Sequence, residues 1–176
     1  MLNRKILLAA LLAVLAALVA WRVATADERR VRLVFAEMES IAGKDGAGEN
    51  PVVAAFDAAR LRRIAAPRIV IAAPEWRGAP WSVSRDDAVR EFFSAKAMAS
   101  RVSLRFDSVR IRFPHRGHAT ATAAATLSGE FPGISGTLRE SRNVSLSLTR
   151  DPGSRAWLVQ RVAVGANAPK GKAPKP

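Results

Sequence analysis

The chain has 176 residues, of which 49% are hydrophobic and 24% charged, so it is long enough and apolar enough to fold as one domain with its own core. It has no cysteine, which excludes disulfides, thiolate nucleophiles and zinc or iron–sulfur sites that depend on sulfur. The net charge of +13 favours contact with anionic surfaces, but the arginines are spread along the chain without interleaved aromatic residues. We therefore expect no specific nucleic-acid binding and keep a polyanion-binding module as one alternative.

The first predicted element is an apolar helix over Ile6–Trp21, which follows Arg4-Lys5 and precedes Arg22. The run is slightly shorter than the roughly 20 residues of a spanning helix and slightly longer than the core of a signal peptide. The sequence ATA at 24–26 matches a cleavage site. Residues 1–26 are therefore predicted to be a signal peptide or a membrane anchor.

The order of a short basic start and an apolar run is that of an export signal. It predicts a domain anchored in the inner membrane and facing the periplasm or the outside, or alternatively secreted after cleavage near Ala26. The arginines after the run outnumber the basic side chains before it, and by the positive-inside rule they favour the opposite topology.

Two amphipathic helices are predicted next. In the first, within ERRVRLVFAEMESIAGK, apolar residues recur at intervals of three and four, and Gly43 follows as a terminator. In the second, Asn50 and Pro51 supply a cap and a first-turn proline, and Pro67 ends the helix. We expect one row of the second helix to face the core. That row is Val53, Phe56, Leu61 and Ile64.

A short buried strand, RIVIAAP, leads into EWRGAPW, which is rich in Gly and Pro and is predicted to be a loop. Ser84 and Asp87 then form a capping-box-like start to a third helix. The side of this helix expected to be buried consists of Val89, Phe92, Phe93 and Met98.

From Arg101 onward the hydrophobic period changes to two, which predicts long strands. Alternate positions up to Phe106 share one face, whereas Val109, Ile111 and Phe113 have the opposite parity. A β-bulge is therefore predicted near Asp107. Four strands in meander order predict an antiparallel sheet, and residues 167–176 are predicted to be a disordered Lys- and Pro-rich tail.

Both histidines of the chain lie in PHRGH, between the first two long strands. His115 and His118 flank a predicted turn, and no acid lies between them. A zinc site needs three or four protein ligands, so we predict a hairpin end and no metal site.

The order helix, helix, short strand, helix and long antiparallel strands resembles the nuclear transport factor 2-like superfamily, which includes ketosteroid isomerases and SnoaL-like, polyketide-cyclase-like proteins. The resemblance covers about residues 27–166 and is carried by VRLVFAEMESIAGK, RGAPWSVSRDDAVREFFSA and VSLSLTRDPGSRAWLVQRVAV. It implies an α+β fold: a strongly curved, mostly antiparallel sheet forms a cone around about three helices and encloses an apolar pocket. Here an N-terminal apolar helix would precede it, as in a membrane-anchored or exported member.

The resemblance implies that an enzyme of this kind would need an acid or a histidine inside the cone, with a tyrosine or a second acid to stabilise an oxyanion. The chain has no tyrosine, and Asp107 is the only acid within the long first strand. We therefore assign no catalytic residue and expect no cofactor. An isomerase- or cyclase-type enzyme with Asp107 as general base remains the alternative.

The first hypothesis is a non-catalytic binding or protein-interaction domain, tethered to the membrane through residues 6–21. A second copy of the chain or another envelope protein would be its partner. Trp76, Trp81 and Phe106 are the candidate ligand-binding residues, because the loop with the tryptophans lies near the pocket mouth in the resembled fold.

Overall fold

The computed structural model describes residue 14 and residues 25–46, 50–133 and 135–167. The predicted apolar helix, apart from Val14, and the tail after residue 167 lie outside the described residues. Among the helices that the structure describes, none is both long and apolar enough to cross a bilayer.

Four helices lie within residues 25–46 and 50–133, and the caps of two of them follow the sequence. The Asn50 side chain accepts a hydrogen bond from the Val52 N–H at 2.9 Å, and Ser84 Oγ accepts one from the Asp87 N–H at 3.1 Å. Both predicted helix starts are thus confirmed. The helices are α1 (25–42), α2 (Pro51–Ile64), α3 (Pro74–Arg77) and α4 (Arg85–Met98).

Seven strands form one curved, unclosed sheet in the order β1-β4-β5-β6-β7-β2-β3. The strands are β1 (Lys44–Asp45), β2 (Ala65–Ala72), β3 (Trp81–Ser84), β4 (Arg101–His115), β5 (His118–Glu130), β6 (Leu138–Arg150) and β7 (Trp157–Asn167). The last four make the predicted antiparallel meander, whereas β2 joins β7 in parallel. The predicted α+β class and curved sheet are therefore confirmed.

The predicted β-bulge lies where the parity of the sequence changes. The register of β4 against β5 shifts between Asp107 and Arg110, and Ser108 has a φ of 56°. The bulge lets apolar side chains on both sides of it face the same core.

The core lies between α1 and the inner face of the sheet. Alanines line the inner face of β5, so α1 approaches this strand closely, while larger side chains on β6 and β7 fill the space at either side. Its buried members are Val31, Val34 and Phe35 of α1, Ala119, Ala121 and Ala123 of β5, Leu146 and Leu148 of β6, and Trp157 and Val159 of β7.

The predicted inner face of α2 is wrong in part. Phe56 is 62% exposed and Val53 is also exposed, whereas Asp57 is buried. The helix also ends at Ile64 and not at Ala66, because a residue that precedes a proline is pushed toward extended geometry.

Two further predictions need correction. Met98 of α4 is 65% exposed, and Lys96 takes the buried position near the end of that helix. The segment predicted as one loop contains α3 and β3, since Trp81–Ser84 finds backbone partners on β2. Pairing with a neighbouring strand overrides the local turn signals of Gly and Pro.

Candidate functional site

Asp107, the alternative general base, is exposed on the outer face of the sheet. Its Cα pairs with Ala124 of β5, whereas the neighbouring Phe106 faces the core and meets Phe35 edge-to-face at 5.0 Å between ring centroids. The side chain of Asp107 therefore lies on the side of β4 opposite the apolar cluster. In this position it cannot reach a substrate held inside the cone.

Sequence reasoning missed an acid that does contact β4. Glu39 of α1 is half-buried, and its Oε1 accepts a hydrogen bond from the Phe106 N–H at 2.5 Å. Beyond Val102, β4 pairs with β5 alone among the strands that the structure describes, so this carboxylate satisfies one donor on the other edge of β4. A carboxylate committed to a backbone donor holds the helix to the sheet and has one oxygen left for other partners.

The candidate ligand-binding residues lie in different parts of the sheet. Trp76 is exposed on α3, and Trp81 is half-buried at the start of β3 with the Arg77 guanidinium 4.9 Å from its ring centroid. Phe106 lies on β4, and four strands separate β4 from β3 in the sheet order. The two tryptophans thus share one short segment, and Phe106 belongs to the core around α1.

The two histidines flank the exposed turn of the β4–β5 hairpin, with ring centroids 6.4 Å apart. Within the described ranges, no group of three or more His, Cys, Asp or Glu side chains could hold a metal ion. The hairpin supplies too few ligands for a closed zinc site.

A buried polar network joins α1, α2 and α4. Asp57 is 6% exposed and Lys96 is 4% exposed, with 3.6 Å between Asp57 Oδ2 and Lys96 Nζ. Lys96 Nζ also donates to the Ile41 carbonyl at 2.7 Å. Arg60 donates to Asp57 at 3.0 Å and to Glu37 at 2.7 Å.

This network changes the pKa of Glu37, which lies at its outer side. The hydrogen bond from Arg60 is the main cause that lowers the pKa of Glu37, and burial opposes it. Because each charged group has a partner, the network ties the helices together and presents no open catalytic group. The spacing of residues along one helix gives no signal for such a network, because its members come from three helices.

Two ion pairs fix the direction of the helices. Asp57 lies beside Lys96 near the end of α4, and Arg62 Nε lies 3.0 Å from Asp86 near its start. α2 therefore runs antiparallel to α4, and the start of α2 lies beside the end of α4.

This end of the helix pair carries exposed apolar side chains. We call Val52, Val53 and Phe56 of α2 the apolar patch; all three are exposed. The Arg60 guanidinium, which donates to Asp57 and Glu37, lies 5.8 Å from the Phe56 ring centroid at the border of the patch. Large apolar side chains grouped on a surface, as here, are typical of protein-binding sites.

The outer face of the sheet is polar and basic. A groove of about 660 Å³ crosses it, with Arg110 at one side and Pro74 at the other, over a floor of small residues. Register pairing puts exposed arginines on this face around the groove, namely Arg105, Arg110, Arg112, Arg139 and Arg161. The arginines of β4 therefore share one face, as the polyanion alternative requires.

Comparison with known proteins identifies the fold. No protein-family model matches the chain, and no curated protein is significantly similar to it in sequence. Among solved structures, the Kfla4162 protein of Kribbella flavida is 14% identical with a TM-score of 0.66, covering 80% of this chain and 90% of its own.

Two proteins of Novosphingobium aromaticivorans are similar as well. An NTF2-like protein with a cystatin-like fold is 15% identical with a TM-score of 0.62, covering 90% of this chain and 92% of its own. A scytalone dehydratase-like protein is 13% identical with a TM-score of 0.55, covering 89% and 97%. At these identities the likeness concerns architecture alone. The chain has the nuclear transport factor 2-like fold, as the resemblance of its sequence to that superfamily predicts.

Proposed function

We propose that this chain is a non-catalytic protein-interaction domain that is tethered to a membrane by residues 6–21 and faces the envelope. The apolar patch at the start of α2 is the observation that carries the proposal. Its members belong to a helix whose apolar side could have turned inward, yet α2 buries Asp57 instead. Exposed apolar area of this kind becomes favourable when a partner covers it.

The position of the candidate acid supports a non-catalytic role. Asp107 lies on the outer face, away from the apolar cluster, and Asp57 is held by Lys96 and Arg60. An isomerase- or cyclase-type reaction needs an acid or base that reaches the substrate. One structural neighbour is a scytalone dehydratase-like protein, but in this chain the predicted acid, Asp107, faces away from the apolar cluster.

The partner proposed for the apolar patch is a second copy of the chain or another envelope protein with an apolar surface of its own. Trp76 and Trp81, at the opposite edge of the sheet from Phe106, remain proposed ligand contacts.

The test is site-specific photo-crosslinking in cells that make the full chain. A photoreactive residue replaces Val53 within the apolar patch, and a matched probe replaces Asp107 on the outer face. We expect a discrete cross-linked product from position 53 and none from position 107. A product of twice the chain mass would identify a homodimer.

The control adds Phe56→Asp to the chain that carries the probe at position 53. Phe56 is largely exposed, so the change should alter the free energy of unfolding by no more than about 0.5 kcal/mol. It places a charge in the apolar contact and should abolish the product. A product that persists with Phe56→Asp, or an equal product from position 107, would disprove the interaction surface.

The arginines of the outer face favour one second candidate function, binding of a polyanion. Arg105, Arg110 and Arg112 are exposed along β4 on the side that carries the groove. If this candidate is right, affinity for an immobilised sulfated polysaccharide should fall steeply with salt. Replacing the three arginines with glutamine should reduce retention far more than replacing three exposed arginines of other surfaces.

A further inference from the structure

The described part of α1 begins beside two loops of the sheet. Arg150 Nη1 lies 3.6 Å from Asp27 Oδ2, and the Arg150 N–H donates to the Gly117 carbonyl at 2.8 Å. The first turns of α1, the turn of the β4–β5 hairpin and the β6–β7 turn therefore share one end of the domain. We call it the hairpin end; it comprises residues 25–30, 115–118 and 150–156.

The hairpin end is where the chain arrives from its apolar run. The sequence ends that run at Trp21, four residues before Thr25, the first residue of α1 that the structure describes. The other terminus leaves elsewhere, because β7 begins at the hairpin end and runs to Asn167 at the far end of the sheet. The Lys-rich tail therefore does not start at the hairpin end.

The charge at the hairpin end is mostly positive, and its acids are engaged. Asp27 lies between Arg30 and Arg150, at 3.9 and 3.6 Å, and Asp151 accepts hydrogen bonds from Ser154. Glu28 pairs with Arg32 at 2.8 Å.

Three exposed arginines of the hairpin end have no ion pair with any residue that the structure describes. They are Arg29 on α1, Arg116 in the hairpin turn and Arg155 in the β6–β7 turn.

We propose that the hairpin end binds the phosphate groups of anionic lipids in the same bilayer that holds residues 6–21. This rests on the tether of the proposed function and adds a second contact to it. A planar guanidinium binds phosphate oxygens in pairs, and basic groups next to a membrane segment are drawn to anionic headgroups. Three separate segments each contribute one arginine, so the contact spans the end of the domain.

The absence of cysteine allows one fluorophore to be placed at a chosen position in the full chain. The label is attached at His115→Cys, at the end of β4 beside the hairpin turn, and the matched control label at Thr137→Cys in the exposed loop at the far end. Each protein is reconstituted into vesicles of neutral phosphatidylcholine, or of phosphatidylcholine with phosphatidylglycerol, that contain headgroup-quenching lipids. Flotation of the vesicles in high salt measures the tether separately.

In anionic vesicles, quenching at position 115 should be at least about twofold greater than in neutral vesicles, and position 137 should show no such difference. The triple variant Arg29→Gln, Arg116→Gln, Arg155→Gln should return position 115 to the level of neutral vesicles. The matched triple variant Arg105→Gln, Arg110→Gln, Arg139→Gln changes the net charge equally but lies on the outer face, and it should leave most of the effect.

Three results would overturn the proposal. Flotation in high salt with equal quenching in both lipids would leave the tether standing and remove the headgroup contact. An equal loss of lipid-dependent quenching in the two triple variants would show that the effect depends on net charge alone and not on the hairpin end. Failure to float with anionic vesicles even in low salt would remove both the contact and the tether.

Discussion

Replacing Lys96 with methionine should destabilise the domain far more than a surface charge change does. Lys96 is buried, and its Nζ lies 2.7 Å from the Ile41 carbonyl oxygen and 3.6 Å from Asp57 Oδ2. Methionine keeps the length of the aliphatic chain, so the change removes the charge and the donor with little loss of packing volume.

The magnitude follows from what the substitution leaves behind. The Ile41 carbonyl loses this donor, which costs about 1–3 kcal/mol for a buried polar group. Removing one partner of a buried ion pair costs about 3–5 kcal/mol, but Asp57 keeps the hydrogen bond from Arg60 at 3.0 Å. We therefore expect a loss of about 2–4 kcal/mol in the free energy of unfolding.

Urea unfolding followed by circular dichroism measures this loss, with Arg62→Met as the matched control. Arg62 pairs with Asp86 between the same two helices, but both side chains are largely exposed. The control should cost less than about 1 kcal/mol. A double-mutant cycle of Lys96→Met with Asp57→Asn isolates the pair. If Lys96→Met costs no more than the control, or if the cycle shows no coupling, the network does not hold the helices together.

Three further predictions test the rest of the structure. Arg60 lowers the pKa of Glu37, so this pair should stabilise the fold fully at a pH above 4.5, the ordinary pKa of a glutamate. The stabilisation should be lost as the pH falls through the lower pKa that Glu37 has in the folded state. Glu37→Gln should therefore flatten that part of an acid-unfolding curve. Phe106→Ala should lower the free energy of unfolding by about 2–3 kcal/mol, less than the loss of a fully buried aromatic, since Phe106 packs on Phe35 but is only partly buried. In the same urea assay Asp107→Asn should change it by no more than about 0.5 kcal/mol. A clear gain in stability from Asp107→Asn would place its carboxyl inside the cone. Added zinc should leave the melting temperature unchanged, and a rise that vanishes when both histidines are replaced would reveal a site.

The long strands could be predicted because their signal is local. Alternation of apolar residues fixes which side of a strand is buried, and a change of parity within one strand requires an extra residue. The switch between Phe106 and Val109 therefore located the bulge that the structure shows at Asp107 to Arg110. α1 was predictable for the same reason, since the apolar residues of its sequence recur on one side of a helix.

The orientation of α2 could not be predicted in this way. Val53 and Phe56 fit an inward row by spacing, but the helix is turned by the burial of Asp57 against Lys96 of α4. A buried charge is tolerated only with its partner, and the two residues lie far apart in the sequence. The apolar patch is exposed as a consequence. The spacing of residues along α2 alone therefore could not predict this interaction surface.

The two proposed surfaces lie at opposite ends of α1. Asp27 marks the hairpin end, whereas Ile41 contacts Lys96, which lies beside Asp57 and the apolar patch. A helix that rises 1.5 Å per residue separates these two ends by about 20 Å. Residues that far apart with no shared contacts act additively.

The arginine variant of the hairpin end should therefore leave the yield of the cross-link from position 53 unchanged in cells. Loss of the headgroup contact would free the domain to reorient on its tether, but the apolar patch itself would be intact. A yield that falls together with lipid-dependent quenching would show instead that the bilayer must hold the hairpin end for the apolar patch to meet its partner.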